Sequence, residues 1–148
     1  MVKQQLLQKL HELLDSQIET AQAAINSAKE SKNNETKSTA GDKFETGRAM
    51  MQIEQEKAEM QLSKTIQLKN RLQQIDLEKT YEKVGFGSLV ITNRGKYFIA
   101  IGIGKVKLNE EIYFVISPDS PIGQLLLGKK IGGKIAFRNQ KIEIQTIL

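Results

Sequence analysis

Apolar residues in the first 28 positions recur in alternating steps of three and four. They are Leu7, Leu10, Leu14, Ile18, Ala21, Ile25 and Ala28. This spacing places them along one side of an α-helix, as in the seam of a coiled coil. No proline occurs in residues 1–76, where the strong helix formers Gln, Glu, Lys, Leu and Ala dominate. The pattern therefore predicts a long first helix.

Small polar residues replace this stripe between Ser31 and Gly47, and they are typical of helix ends and turns. Apolar positions then resume less regularly, interrupted by Lys57 and Lys64, at Met50, Ile53, Met60, Leu68, Leu72 and Ile75. We interpret them as the seam of a second helix with at least one skip in register. Two such helices most simply fold back on each other. We predict an antiparallel coiled-coil hairpin over 1–76 with its tip near 31–47; a dimerisation coiled coil, or two helices of a bundle, is the alternative.

Short β-branched and aromatic runs separated by glycine follow residue 76, and they are typical of β-strands. The predicted strands are 87–92, 96–101, 111–117, 134–138 and 141–147. A short helix is predicted at 121–127, with Ser120 as its N-cap and Pro121 in the first turn. Segment 77–84 is the expected junction. The sequence thus predicts an α+β protein with a helical domain at 1–76 and a small β-rich domain at 77–148.

The glycine pairs at 85/87 and 102/104 lack the third spaced glycine and the following helix of a nucleotide-binding loop. We interpret them as hairpin and bulge glycines.

The composition of the chain excludes several classes of catalytic and metal-binding site. The 148 residues include no cysteine and one histidine, His11, which excludes thiolate catalysis, disulfides and histidine clusters. We interpret His11 as a helix-surface residue.

The net charge is +5, and the excess lies in 77–148, so that half is expected to meet an acidic partner, either nucleic acid or a protein surface. Neither a signal peptide nor a membrane span is recognisable, and we expect a cytoplasmic protein.

Two acidic residues, Asp42 and Glu45, stand three positions apart where the second helix is predicted to begin. On a helix both carboxylates would share one face, and such a pair could serve as part of a Mg²⁺ site. The alternative is an ordinary helix start, with Asp42 as N-cap and Glu45 in the capping-box position. The spacing leaves both interpretations open.

The segment Gly41-Asp42-Lys43-Phe44-Glu45-Thr46 resembles the Gly-Asp-x-x-Glu-Asn tip of the Gre family of bacterial transcript cleavage factors. Further along, Ile116-Ser117-Pro118-Asp119-Ser120-Pro121-Ile122 and Leu126-Leu127-Gly128-Lys129-Lys130-Ile131-Gly132-Gly133-Lys134 resemble that family's Ser-Pro-Ile, leucine-rich helix and Gly-Lys turn. The order of the parts agrees as well. The resemblance implies a C-terminal domain of FKBP-like fold.

The resemblance also implies a function. The chain would bind RNA polymerase, insert the hairpin tip into its secondary channel and stimulate cleavage of backtracked RNA. Asp42 and Glu45 would assist at the Mg²⁺ of the polymerase active site, so the chain would bind no cofactor alone and would not be an enzyme itself. Contact with RNA or DNA stays open beside contact with protein alone, whereas a membrane or a small-molecule substrate is not expected. The expected partner-binding residues are Lys43, Arg48, Ser120, Pro121, Ile122, Gly128 and Lys129.

The sequence departs from the family after the tip, where Thr46-Gly47-Arg48-Ala49 replaces the usual Asn-Ala-Glu-Tyr. A glycine and a cation next to the acidic pair favour a second hypothesis, a regulator that occupies the channel without promoting cleavage. The third hypothesis is a coiled-coil adaptor or a small enzyme. An enzyme is disfavoured because the residue inventory offers no nucleophile, base and oxyanion donor together.

Overall fold

Two long helices open the fold of the chain, as seen in a computed structural model that describes residues 1–35 and 41–148. Helix α1 spans Val2–Glu35 and helix α2 spans Gly41–Leu72. The side chains at 34, 35 and 41–44 lie outside the described part. None of the described helices is both long enough and apolar enough to cross a membrane.

Two contacts between the helices show how the helices are oriented relative to each other. Lys69 Nζ lies 2.6 Å from the Asp15 carboxylate, and Lys32 Nζ donates to the side-chain oxygen of Gln52 at 2.6 Å. Equal numbers of residues separate 15 from 32 and 52 from 69, so the helices are antiparallel and keep one register between these contacts. The predicted antiparallel hairpin is confirmed.

The seam of α1 is the predicted one. Of its seven apolar residues all but Ile18 are buried, and Leu10 and Leu14 are completely so. His11 is half-buried rather than fully on the surface, because it lies seven residues before Ile18 on the edge of the same seam.

The seam of α2 differs from the prediction. Met50, Ile53 and Met60 are 58%, 56% and 73% exposed, so they do not belong to it. The residues turned inward alternate in steps of four and three without a skip, and they are Met51, Gln55, Ala58, Leu62, Thr65, Lys69 and Leu72. Small and polar members make this seam faint in sequence. Of the predicted seam residues, Met50, Ile53 and Met60 were therefore wrong, as was the predicted skip, whereas Leu72 and the helix itself were right.

The second half forms a six-stranded mixed sheet in the order β3-β4-β2-β1-β6-β5. Its strands are β1 Leu89–Thr92, β2 Lys96–Ile99, β3 Gly104–Leu108, β4 Glu111–Ile116, β5 Lys134–Phe137 and β6 Gln140–Ile147, and the short helix α3 spans Pro121–Leu126. Strands β2 and β4 pair in parallel, and the other neighbours pair antiparallel. The predicted α+β class is confirmed.

Strand β3 was not predicted, because Gly102 and Gly104 were interpreted as turn glycines. Its sequence Gly-Lys-Val-Lys-Leu nevertheless alternates, and Val106 is its buried residue. A tight turn at Asn109 and Glu110, both with positive φ, joins it to β4. As an edge strand with one buried side chain, β3 carries only a weak apolar signal.

Contacts divide the chain into two compact units, one of Gln8–Asn70 and one of Met1–Leu7 with Arg71–Leu148. The core of the second unit lies between one face of the sheet and α3. Its fully buried members include Val90, Ile99, Leu126 and Ile144.

Candidate functional site

The end of the hairpin at which α1 leads into α2, which we call the connecting end, carries a shallow depression of about 300 Å³. Lys32 comes from the last turns of α1, whereas Glu45, Arg48 and Gln52 come from the first turns of α2. Glu45 and Arg48 are exposed, and they lie one helical turn apart. Lys32 is half-buried and donates to Gln52 at 2.6 Å and to Gln55 at 3.1 Å. The described side chains of the depression therefore include one carboxylate and two cations.

Helix α2 begins at Gly41, so positions 42 and 45 are one helical turn apart, as predicted. The side chains of Asp42 and Lys43 lie outside the described residues. Among the side chains that are described, no three His, Asp or Glu residues gather into a metal site. That the chain binds no Mg²⁺ by itself therefore stays a prediction.

The second group of predicted residues surrounds the start of α3. Ser120 caps this helix, because its Oγ accepts from Gly123 N at 3.1 Å and donates to the Ser117 carbonyl at 2.7 Å. Pro121 follows at the first helical position and is exposed. Ile122 is buried in the core, so its side chain packs against the sheet. These contacts fix the loop before α3.

Gly123 is a residue of this site that sequence reasoning missed. A Cβ at this position would lie 2.3 Å from the Ser117 carbonyl oxygen, 2.8 Å from Ser120 Oγ and 3.0 Å from the Pro118 carbonyl oxygen. Only glycine lets the helix start come this close to the loop. The signal was available in the sequence as a glycine inside a short helix, where glycine is otherwise unfavourable.

Gly128 ends the turn after α3 with a φ of +79°. Its N–H donates to the Val84 carbonyl at 2.9 Å, and Val84 N–H donates to the Lys129 carbonyl at 2.8 Å. This backbone pair fastens the segment that we call the 127–134 loop. Within the loop Lys129, Lys130 and Lys134 are exposed, and Ile131 is 63% exposed.

The 127–134 loop contains three lysines and no acidic residue. Among the described residues, none of the three has an ion-pair partner. The nearby loop before α3 is different, because its Asp119 carboxylate lies 3.8 Å from the Arg71 guanidinium. The 127–134 loop is therefore a cationic surface with an apolar centre, suited to an acidic partner.

A cavity of about 420 Å³ lies elsewhere in the β-rich unit, lined by residues that include Val2, Lys3, Leu77 and Tyr81. Burial lowers the pKa of Lys3, and burial raises the pKa of Tyr81. The Lys3 ammonium lies 4.7 Å from the centre of the Tyr81 ring and donates to the Leu148 carbonyl at 3.1 Å. These contacts already engage Lys3 in fastening the start of α1, which makes the cavity a structural feature.

No protein-family model and no curated protein sequence matches the chain. One solved structure similar to it is described as that of the transcription factor Gfh1. The two chains are 19% identical, the match covers 93% of this chain and 92% of the other, and the TM-score is 0.39. A likeness of this degree supports no inference about activity.

Proposed function

We propose that this chain is a Gre-like transcription elongation factor that binds RNA polymerase, inserts the connecting end of its hairpin into the secondary channel and stimulates cleavage of backtracked RNA. In this proposal Asp42 and Glu45 assist in trans at the polymerase active site. The Mg²⁺ and the chemistry of cleavage belong to the polymerase.

The observation that carries the proposal is the single antiparallel register from Asp15/Lys69 to Lys32/Gln52. Between these contacts the hairpin spans 17 residues of α1, or about 25 Å at the rise of an α-helix. Because Glu45 precedes Gln52 in α2, it lies nearer to the connecting end of the hairpin than either of these contacts. A narrow rod with charge at its connecting end suits insertion into a channel.

The 127–134 loop supplies the second part of the proposal. Its three lysines and exposed Ile131 suit a docking surface for an acidic protein segment on the polymerase, because rim charges steer association and an apolar centre contributes affinity. Two of the expected partner-binding residues, Gly128 and Lys129, belong to this loop. The loop is held in place by α3, which begins with the Ser120 cap and Pro121. Ile122 would act from the core, by supporting α3.

A backtracked elongation complex with end-labelled RNA tests the proposal. Adding the protein should shorten the RNA, and Asp42→Asn combined with Glu45→Gln should abolish shortening while polymerase binding persists. Lys129→Glu with Lys130→Glu should weaken binding instead. The matched control is Lys83→Glu with Lys141→Glu, two exposed lysines outside the 127–134 loop. Unchanged cleavage by the Asp42/Glu45 variant would contradict the role assigned to the carboxylates.

One observation favours a second function, that of a channel-occupying regulator that does not promote cleavage. The described side chains of the depression at the connecting end include Lys32 and Arg48 beside the Glu45 carboxylate. Two cations next to Glu45 would offset its charge at an active site. Tight polymerase binding, with RNA shortening that stays at the level of polymerase alone, would support this function and overturn the first.

A further inference from the structure

Helix α2 has an apolar line on the side opposite to its seam. Met50, Ile53 and Met60 are all more than half exposed, and the line continues through exposed residues Thr46, Lys57 and Lys64. These six positions alternate in steps of four and three. We call them the outer stripe. Single exposed apolar residues are ordinary on a protein surface, but three on one heptad line are typical of a helix-packing face.

We propose that the outer stripe is a self-association surface, on which α2 pairs antiparallel with α2 of a second copy of this chain. Alternating spacing makes the stripe complementary to itself when one copy is reversed. Met50 then faces the partner's Met60, Ile53 faces the partner's Lys57, and Thr46 faces the partner's Lys64. The paired stretch is about 27 Å long, at 1.5 Å per residue over positions 46–64.

Charges along the stripe agree with the same register. Among the described residues, the Lys57 ammonium forms an ion pair only with Glu54, at 4.0 Å and with both side chains well exposed, which is a weak contact. In the reversed pairing it comes next to the partner's Glu54 and Glu56. Lys64, which has no ion pair among the described residues, comes next to the partner's Glu45. Each lysine of the stripe thus meets a carboxylate.

The apolar centre of the pairing is small, with two methionine pairs and two isoleucines, and carboxylates outnumber ammonium groups near the two-fold axis. An interface of this size is typical of a weak, reversible dimer. The dimer engages Glu45 with the partner's Lys64. It would therefore be a resting form, in which the connecting end of the hairpin is occupied. This consequence rests on the proposed function, whereas self-association does not.

Sedimentation of the full chain over a range of concentrations tests the surface. Wild-type protein should show a concentration-dependent monomer–dimer equilibrium. Ile53→Gln with Met60→Gln should raise the dissociation constant at least about tenfold, because the apolar contacts are lost. The matched control is Ile66→Gln, since Ile66 is 41% exposed on the same helix but off the stripe. Lys57→Leu should instead tighten the dimer, by placing an apolar side chain against Ile53. Far-UV circular dichroism should show that each variant remains helical.

The register is tested by cross-linking, for which the cysteine-free sequence is convenient. A mixture of the Met50→Cys and Met60→Cys proteins should react with a short bismaleimide to give a covalent dimer. Each variant alone should not, because like positions would be offset by about 15 Å along the axis. Cross-linking of each variant alone would mean parallel pairing and overturn the proposal. A protein that stays monomeric at every concentration, or a dimer unaffected by the stripe variants, would also overturn it.

These outcomes are separable from those of the cleavage assay. A chain that dimerises but never binds polymerase would refute the proposed function and leave the surface intact. A monomeric chain that stimulates cleavage would do the reverse.

Discussion

Gly123→Ala is a substitution for which helix propensity and the structure predict opposite signs. Position 123 lies inside α3, and alanine stabilises an exposed helix interior by about 1 kcal/mol relative to glycine. The structure predicts destabilisation instead, because the new methyl group would lie 2.3 Å from the Ser117 carbonyl oxygen and 3.0 Å from the Pro118 carbonyl oxygen. Both neighbours are backbone atoms, so the whole 117–120 loop must move.

The magnitude follows from two effects. Forcing a methyl group into a tightly packed site costs about 1–3 kcal/mol. Displacing the loop also weakens the Ser120 cap, whose hydrogen bond to Gly123 N is worth about 1 kcal/mol. After the gain in helix propensity, we expect a net loss of about 1–3 kcal/mol in the free energy of unfolding of the β-rich unit.

Tyrosine fluorescence during urea unfolding measures this loss selectively. The chain has no tryptophan, and its three tyrosines, Tyr81, Tyr97 and Tyr113, all lie in the β-rich unit. Gln124→Ala is the matched control, because residue 124 is exposed in the same helix and should change stability by less than about 0.5 kcal/mol. If Gly123→Ala proved as stable as wild type or more so, the close approach of α3 to the 117–120 loop would be refuted.

Two further predictions concern the hairpin. Leu14→Ala should lower the free energy of unfolding of the helices by about 2–5 kcal/mol, because Leu14 is buried in the seam. Met60→Ala should change this free energy by less than about 0.5 kcal/mol, because Met60 is exposed. Circular dichroism at low protein concentration measures both, and equal effects would contradict the seam assignment. Lys32→Ala should remove the hydrogen bonds to Gln52 and Gln55 and lower the free energy of local opening by about 1 kcal/mol. Amide hydrogen exchange near the connecting end should therefore become faster. Lys29→Ala, at an exposed position of the same helix, is the control and should leave this exchange unchanged. Equal exchange in both variants would show that Lys32 does not fasten the helices.

The sequence allowed α1 to be predicted down to its seam, because large aliphatic residues mark that seam. It allowed α2 to be predicted only as a helix. There Ala58, Thr65 and Gln55 turn inward, while the more hydrophobic Met50, Ile53 and Met60 turn outward. Hydrophobicity alone ranks these residues in the wrong order, since small side chains suit a close approach of two helices.

The β-rich unit shows a similar limit. The other five strands were predicted near their observed positions, whereas β3, in which the buried Val106 stands between two lysines, was missed. In the turns, Asn109 and Asn139 are typical residues for positive φ, but Glu110 and Arg138 adopt it as well and give no signal in sequence. Among the candidate site residues, Ser120 and Pro121 were predicted in their capping roles. Gly123 was not, because its importance comes from a carbonyl oxygen six residues earlier.

Site-specific cross-linking tests most directly whether the connecting end of the hairpin reaches the polymerase active site. A photo-cross-linker attached to Thr46→Cys, next to Glu45, should label the 3′ end of backtracked RNA in a complex with polymerase. The same reagent on Gln140→Cys, an exposed position of the β-rich unit, should label protein but not that RNA end. Labelling of the RNA 3′ end from position 46 and not from position 140 is the predicted result. Efficient complex formation in which position 46 labels only the outer surface of the polymerase would contradict the account.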